Sequence, residues 1–151
     1  MSEHGIVNQE LFGNAYYYTL NQDHILFPAV KGLVHVTDTL IENVKSSITS
    51  WQTAPKCVYL FGSAARKSMT TGSDLDLLFV LDDDEPKKDF ILDNIYGLCG
   101  SLRKATGNEV NPVIFQSSEI KNTPLFRDIL EEGVCIYGDR TLLKRRVKNG
   151  R

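Results

Sequence analysis

Asp74 and Asp76 stand one residue apart at the head of an apolar run, in the stretch "GSDLDLLFV", and Ser63 of a Gly62-Ser63 pair lies eleven residues before Asp74. Alternate residues of a strand point to one face, so the two carboxylates project side by side. Like charges at that separation repel, and turned inward they cost stability unless something positive neutralises them. Hard oxygen ligands in a pair suit Mg²⁺ or Mn²⁺, ions that bind one or two carboxylates together with substrate phosphates.

The Gly-Ser pair supplies a second half to such a site. It ends the apolar run Cys57 to Phe61 and opens an alanine-containing segment, which predicts a strand, a tight turn and a helix start with Ser63 as the N-cap. A glycine there lets backbone approach a ligand, and the first N–H groups of a helix favour phosphate. Ser63 adds a hydroxyl and Arg66 follows one turn later, a set that would hold a triphosphate. If the two strands are neighbours, about 4.8 Å apart, turn and carboxylates face one metal nucleotide. The rival readings are a capping or surface role for the aspartates and a surface salt bridge for Arg66.

Around these residues the apolar pattern predicts one α/β domain with a small mixed sheet. Val30 to Trp51 recur at three- and four-residue steps, predicting a single long helix over 29–51 that Pro55 stops. Thr70 to Ser73 reads as a loop. Asp74 to Leu81 reads as a strand covered on both faces, with Asp82 to Glu85 as a solvated turn behind it. A helix with Ile91, Ile95, Leu98, Leu102 and Ala105 on one stripe ends at Gly107-Asn108. Glu109 to Phe115 is the third strand. Ser117 to Ile120 opens a short helix that Pro124 interrupts, and Val134 to Tyr137 adds an edge strand. The closing "RTLLKRRVKNGR" reads as a basic tail that frays, with a helix presenting charge to a nucleic acid as the alternative. Near the amino terminus, strand-like stretches flank Phe12-Gly13-Asn14 as in a hairpin, which must pack on this domain, on a second copy in a homodimer, or on a domain outside this sequence. The expected divisions are 1–28 for hairpin and linker, 29–139 for the catalytic domain and 140–151 for the tail.

A net charge of -2 over 151 residues excludes a protein coated in positive charge for nucleic acid. With no apolar run near 20 residues and no signal pattern, the chain is expected in the cytoplasm, away from membranes. Cys57, Cys99 and Cys135 are widely spaced among apolar neighbours and read as core thiols, and the three histidines lack ligand spacing.

Taken together, Gly62, Ser63, Ala65, Arg66, Ser73, Asp74, Asp76 and Leu77 in "GSAARKSMTTGSDLDLLFV" resemble the signature of the nucleotidyltransferase superfamily of DNA polymerase β-like enzymes, kanamycin nucleotidyltransferase and the minimal nucleotidyltransferases. The combined pattern is far more specific than Asp-x-Asp alone, which also occurs in metal-dependent glycosyltransferases. Lys67 departs from the glycine usual after the arginine. "GIVNQELFGNAYYYTLNQDHILFPAV" and "GNEVNPVIFQSSE" are similar to the group in which a winged helix-turn-helix precedes the nucleotidyltransferase, so any DNA contact would run through a winged-helix domain missing from this sequence. The resemblance implies a nucleoside monophosphate, AMP from ATP first among candidates, passed to a hydroxyl or phosphate acceptor. A toxin–antitoxin antitoxin modifying its partner protein is one form of this. Gly62, Ser63, Arg66 and Ser73 would bind the nucleotide, and Asp74 and Asp76 the metal. The superfamily's third carboxylate falls at Asn111, an amide, and Glu109, two residues earlier, is the expected replacement in the metal site. The competing expectation is a catalytically weakened nucleotide-binding module of a DNA-binding regulator.

Overall fold

A strand apolar at every position but Asp76 needs cover on both faces, and β4 (Leu75–Leu81) has it. It lies inside a four-stranded sheet ordered β5-β4-β3-β6, with β3 (Cys57–Phe61) antiparallel to β4 and to β6 (Val134–Gly138), and β5 (Val110–Gln116) parallel to β4. Parallel neighbours need a long crossover, and α4 (Lys88–Thr106) provides it. These elements come from a computed structural model that describes residues 5–66, 73–83 and 88–149. The expected loop over 70–72 and the acidic residues Asp84 and Glu85 lie outside the described residues.

The period-two alternation of β3 and β4 divides their side chains between two faces. On one, Cys57, Tyr59, Leu78 and Val80 form a core with Phe126 and Ile129 of α5 (Pro124–Glu132) and with Leu143 and Val147 of α6 (Arg140–Asn149). On the other, Val58, Leu60, Leu77 and Phe79 are buried. There α4 packs along β5 and buries Ile91, Ile95, Leu98 and Leu102 at helical spacing.

The carboxy-terminal segment corrects the expectation of a fraying tail. Leu143 and Val147 are four residues apart and sink together into the core, so α6 is held by packing while its basic residues face outward. Asp139 anchors its start: Oδ1 accepts from the Thr141 N–H at 2.8 Å and its hydroxyl at 2.7 Å. Those bonds, with Arg145 nearby, hold the Asp139 carboxyl below the usual range. Pro124 also differs from expectation. It opens α5 at the first turn, where its missing N–H is no loss, and the preceding helical piece is only a 3-10 turn, Ser117–Glu119. Of the acidic run, Asp82 pairs with Lys56 at 3.0 Å and Asp83 accepts the Ser118 N–H at 2.7 Å. That bond lowers the Asp83 carboxyl, so these two residues fasten the end of β4 and are more than a solvated turn.

The chain divides into two compact units, residues 1–40 and 41–151. In the first, β1 (Val7–Phe12) and β2 (Ala15–Leu20) form the expected antiparallel hairpin about Gly13-Asn14. Its register sets Val7, Leu11, Tyr16, Tyr18 and Leu20 on one side. The single long helix is a pair instead, α1 (Phe27–Val34) and α2 (Val36–Thr49), parted at His35. His35 leaves helical geometry at φ -93 and ψ 12, and its ring bonds Asp38 at 3.0 Å, a local polar contact that competes with helix continuation. Among the described residues no helix is long and apolar enough to cross a membrane.

Truncating Leu143 to alanine is expected to cost about 3 kcal/mol by leaving a cavity under α6, read as a lowered midpoint in urea unfolding; a surface tail would show almost no change. Burial raises the Cys57 thiol to about 12, with Cys135 and Asp139 adding to it. Cys57 is therefore expected to resist iodoacetamide at about pH 8 in the folded protein and to react on unfolding, as mass spectrometry of the alkylated peptide would record.

Candidate active site

The face of β4 that buries Leu78 and Val80 continues, two residues at a time, to Asp76 and then to Asp74 just before the strand begins. The core ends there and polar chemistry starts. Across the sheet Asp76 is opposite Phe61 of β3 on one side and Asn111 of β5 on the other. Gly62, directly after Phe61, thus falls beside the Asp76 carboxylate. It adopts φ +72, and a β-carbon there would lie 2.5 Å from Asp76 Oδ2. Only glycine satisfies both the left-handed backbone and the close approach. The Gly62 turn and the Asp76 carboxylate are thus neighbours across the sheet.

Asn111 occupies the point on which the two carboxylates converge. Its Nδ2 donates to Asp74 Oδ2 at 3.1 Å and to Asp76 Oδ1 at 3.3 Å. An amide carries two donor hydrogens, one for each carboxylate, and this relieves part of the repulsion that two like charges on one face create. Glu109 does not join them. It precedes β5, its carbonyl accepts the Leu75 N–H at 2.8 Å, and its side chain turns to Arg103 at 2.6 Å. Reading Glu109 as part of the strand put it on the Asn111 face; strand geometry begins one residue later, and a cation on α4 captures the carboxylate. Among the described residues no group of three or more His, Cys, Asp or Glu side chains is arranged to hold a metal ion.

Ser63 is half-buried within α3 (Gly62–Ala65). It is not the N-cap: that position belongs to Phe61, which has no side-chain capping bond. Arg66 follows at the end of the turn, its N–H reaching the Gly62 carbonyl at 3.3 Å, and its guanidinium pairs with Glu132 of α5 at 2.7 Å. The surface salt bridge weighed against a phosphate role is thus present. The Ser73 carbonyl accepts from Asn108 Nδ2 at 2.6 Å, tying the approach to Asp74 to the turn after α4.

Beside Gly62 opens a pocket of about 200 Å³ bounded by Phe61, Arg66, Leu125, Asp128, Ile129 and Glu132. The α5 residues were not legible as site residues. The one signal was their spacing, since Leu125, Asp128, Ile129 and Glu132 recur at three and four residues, which puts two carboxylates on the stripe that elsewhere is apolar.

Residues 42–141 match the family profile described as Polymerase beta, Nucleotidyltransferase. A Methanocaldococcus jannaschii protein, MJ0604, named as a candidate protein adenylyltransferase, is 36% identical over 86 residues, covering 54% of this chain and 78% of its own length. Two crystal structures share the fold. One is a toxin–antitoxin with AMP-PNP, at TM-score 0.50 and 17% identity over 75% of this chain and 82% of that one. The other is a mutant of the toxin–antitoxin MntA-HpeT, at TM-score 0.53 and 15% identity over 72% and 81%.

Replacing Gly62 with alanine is expected to destabilise the fold by about 1 to 2 kcal/mol through the left-handed backbone and to displace Asp76. Chemical denaturation gives the first quantity. A shifted Asn111 side-chain amide resonance in a ¹H–¹⁵N spectrum gives the second, and an unmoved resonance would contradict it.

Proposed function

The chain belongs to the Polymerase beta nucleotidyltransferase family, and on that premise we propose that it transfers AMP from Mg²⁺-ATP to a hydroxyl acceptor on a polypeptide. Nucleotidyl transfer follows from the family; the choice of AMP and of a protein acceptor draws on the name of MJ0604. The observation that carries the reading is the convergence of Asp74 and Asp76 on one point next to the Gly62 turn. Nucleotidyltransferases generally use divalent metals, and these oxygens suit one, because the place where they receive amide hydrogens is where a cation would receive the same lone pairs. Turning the Asn111 amide over would offer its Oδ1 as a further neutral ligand.

In this reading Asp74 and Asp76 hold Mg²⁺, Gly62 and Ser63 bring backbone and hydroxyl donors to the phosphates, and Arg66 adds a guanidinium. The Ser73–Asn108 bond fixes the approach to Asp74. A divalent metal held by Asp74 and Asp76 would supply charge stabilisation to the phosphates. The acceptor oxygen bonds to the α-phosphorus, the bond to the bridging oxygen breaks, pyrophosphate leaves and the hydroxyl proton is released. Holding reactants in this geometry is the protein's main contribution.

Asn111 favours a second reading, a nucleotide-binding regulatory module with weakened turnover, since an amide brings no charge and is no base at neutral pH. The hairpin β1–β2 lies outside the matched residues 42–141. We read it as the wing of a winged-helix module, the part through which any DNA contact would run.

The decisive experiment incubates the chain with α-labelled ATP, Mg²⁺ and host lysate and follows label into protein. Label is expected with the wild type, and Asp74→Asn with Asp76→Asn is expected to remove it and to weaken Mg²⁺-ATP binding about 100-fold by calorimetry. Asn111→Asp should retain or raise transfer. ATP binding equal in wild type and double variant would sink the metal-nucleotide site. An inert wild type, with activity gained in Asn111→Asp, would select the regulatory reading.

A further inference from the structure

Arg66 is a long side chain at the end of a short turn, about half exposed. Unrestrained, it would spread over many rotamers and bring a ligand little benefit until one was fixed. Glu132 supplies a restraint from 66 residues away in sequence: its Oε2 lies 2.7 Å from one terminal nitrogen of the guanidinium. The placement of Glu132 is itself stiff. It is the last residue of α5, whose Phe126 and Ile129 are buried. Gly133 turns the chain at once into β6, and a β-carbon at that glycine would run into the Ile129 carbonyl oxygen. An ion pair this exposed adds little to stability. What it does fix is direction, because both partners line the pocket that opens beside Gly62. A guanidinium has five N–H donors in a planar fork, and a contact through one terminal nitrogen leaves the rest of the fork for a second anion.

We propose that Glu132 is the positioning residue for Arg66, holding the guanidinium beside the Gly62 turn with its remaining donors presented to the phosphates of the nucleotide. This rests on the nucleotide site described under Proposed function. Glu132 itself touches no phosphate, since two anions would repel; it acts through Arg66.

The test is a double-mutant cycle read by calorimetry on the full chain, with Mg²⁺-ATP and adenosine as the two probes. Glu132→Ala is expected to weaken Mg²⁺-ATP binding about fivefold and Arg66→Ala about twentyfold, with adenosine affinity unmoved in both. In the Arg66→Ala background, Glu132→Ala should change ATP affinity by less than about 1.5-fold. Glu132→Asp, which keeps the charge on a shorter arm, should recover part of the loss. Circular dichroism checks that each variant is folded.

Undiminished ATP affinity in Glu132→Ala overturns the proposal, and so does tighter binding, which would make Glu132 a competitor for Arg66. An equal loss in the Arg66→Ala background, or a parallel loss for adenosine, also overturns it, because Glu132 would then act through general structure. If the wild type binds Mg²⁺-ATP and depends on Asp74 and Asp76 while Glu132→Ala is silent, the site stands and only the positioning role fails. Absence of Mg²⁺-ATP binding by the wild type removes both.

Discussion

Two carboxylates on one face of a strand repel, and much of the arrangement around β4 answers that repulsion. Asp74 and Asp76 are kept where the strand leaves the core, so neither is fully desolvated. Asn111 is delivered from the parallel neighbour in register with Asp76 and gives one amide hydrogen to each. Gly62 comes from the antiparallel neighbour with no side chain to collide. The order β5-β4-β3 is therefore the condition for the site: shifting either neighbour by one residue would turn the amide or the glycine turn away.

This local order depends on the core behind it. Leu78 and Val80 continue the same face inward and are clamped by α5 and α6, while α4 packs along β5 on the other side. A strand fixed at its apolar end holds its polar end still, and precise placement of charged groups is what phosphoryl chemistry asks of a protein. The helix α5 serves both ends of that arrangement. Its apolar residues seal the core, and its Glu132 meets Arg66 across the pocket by the Gly62 turn.

The third acidic position shows how a carboxylate can be redirected by one residue of strand geometry. Glu109 sits two places before Asn111, as the site's logic would ask, yet strand β5 begins at Val110 and Arg103 of α4 holds the side chain at 2.6 Å. The position in register with Asp76 is left to an amide. A neutral donor there stabilises the carboxylate pair through hydrogen bonds alone.

The sequence by itself determined the family and the central elements. The meeting of Gly62 with Asp76 was legible because backbone strain and charge repulsion restrict which residues can stand at such spacing, although Ser63 does not cap the turn as expected, and β3, β4 and the hairpin were legible because short apolar or strand-like runs and turn residues act locally. Contacts between distant segments were not. The folding of the basic terminus as α6, the capture of Glu109 by Arg103 and the pairing of Arg66 with Glu132 each depend on which side chain another element brings near. Leu143 and Val147 made the last segment a helix because a core was there to receive them, and hydrophobic burial by a surface formed elsewhere in the chain is decided only in three dimensions.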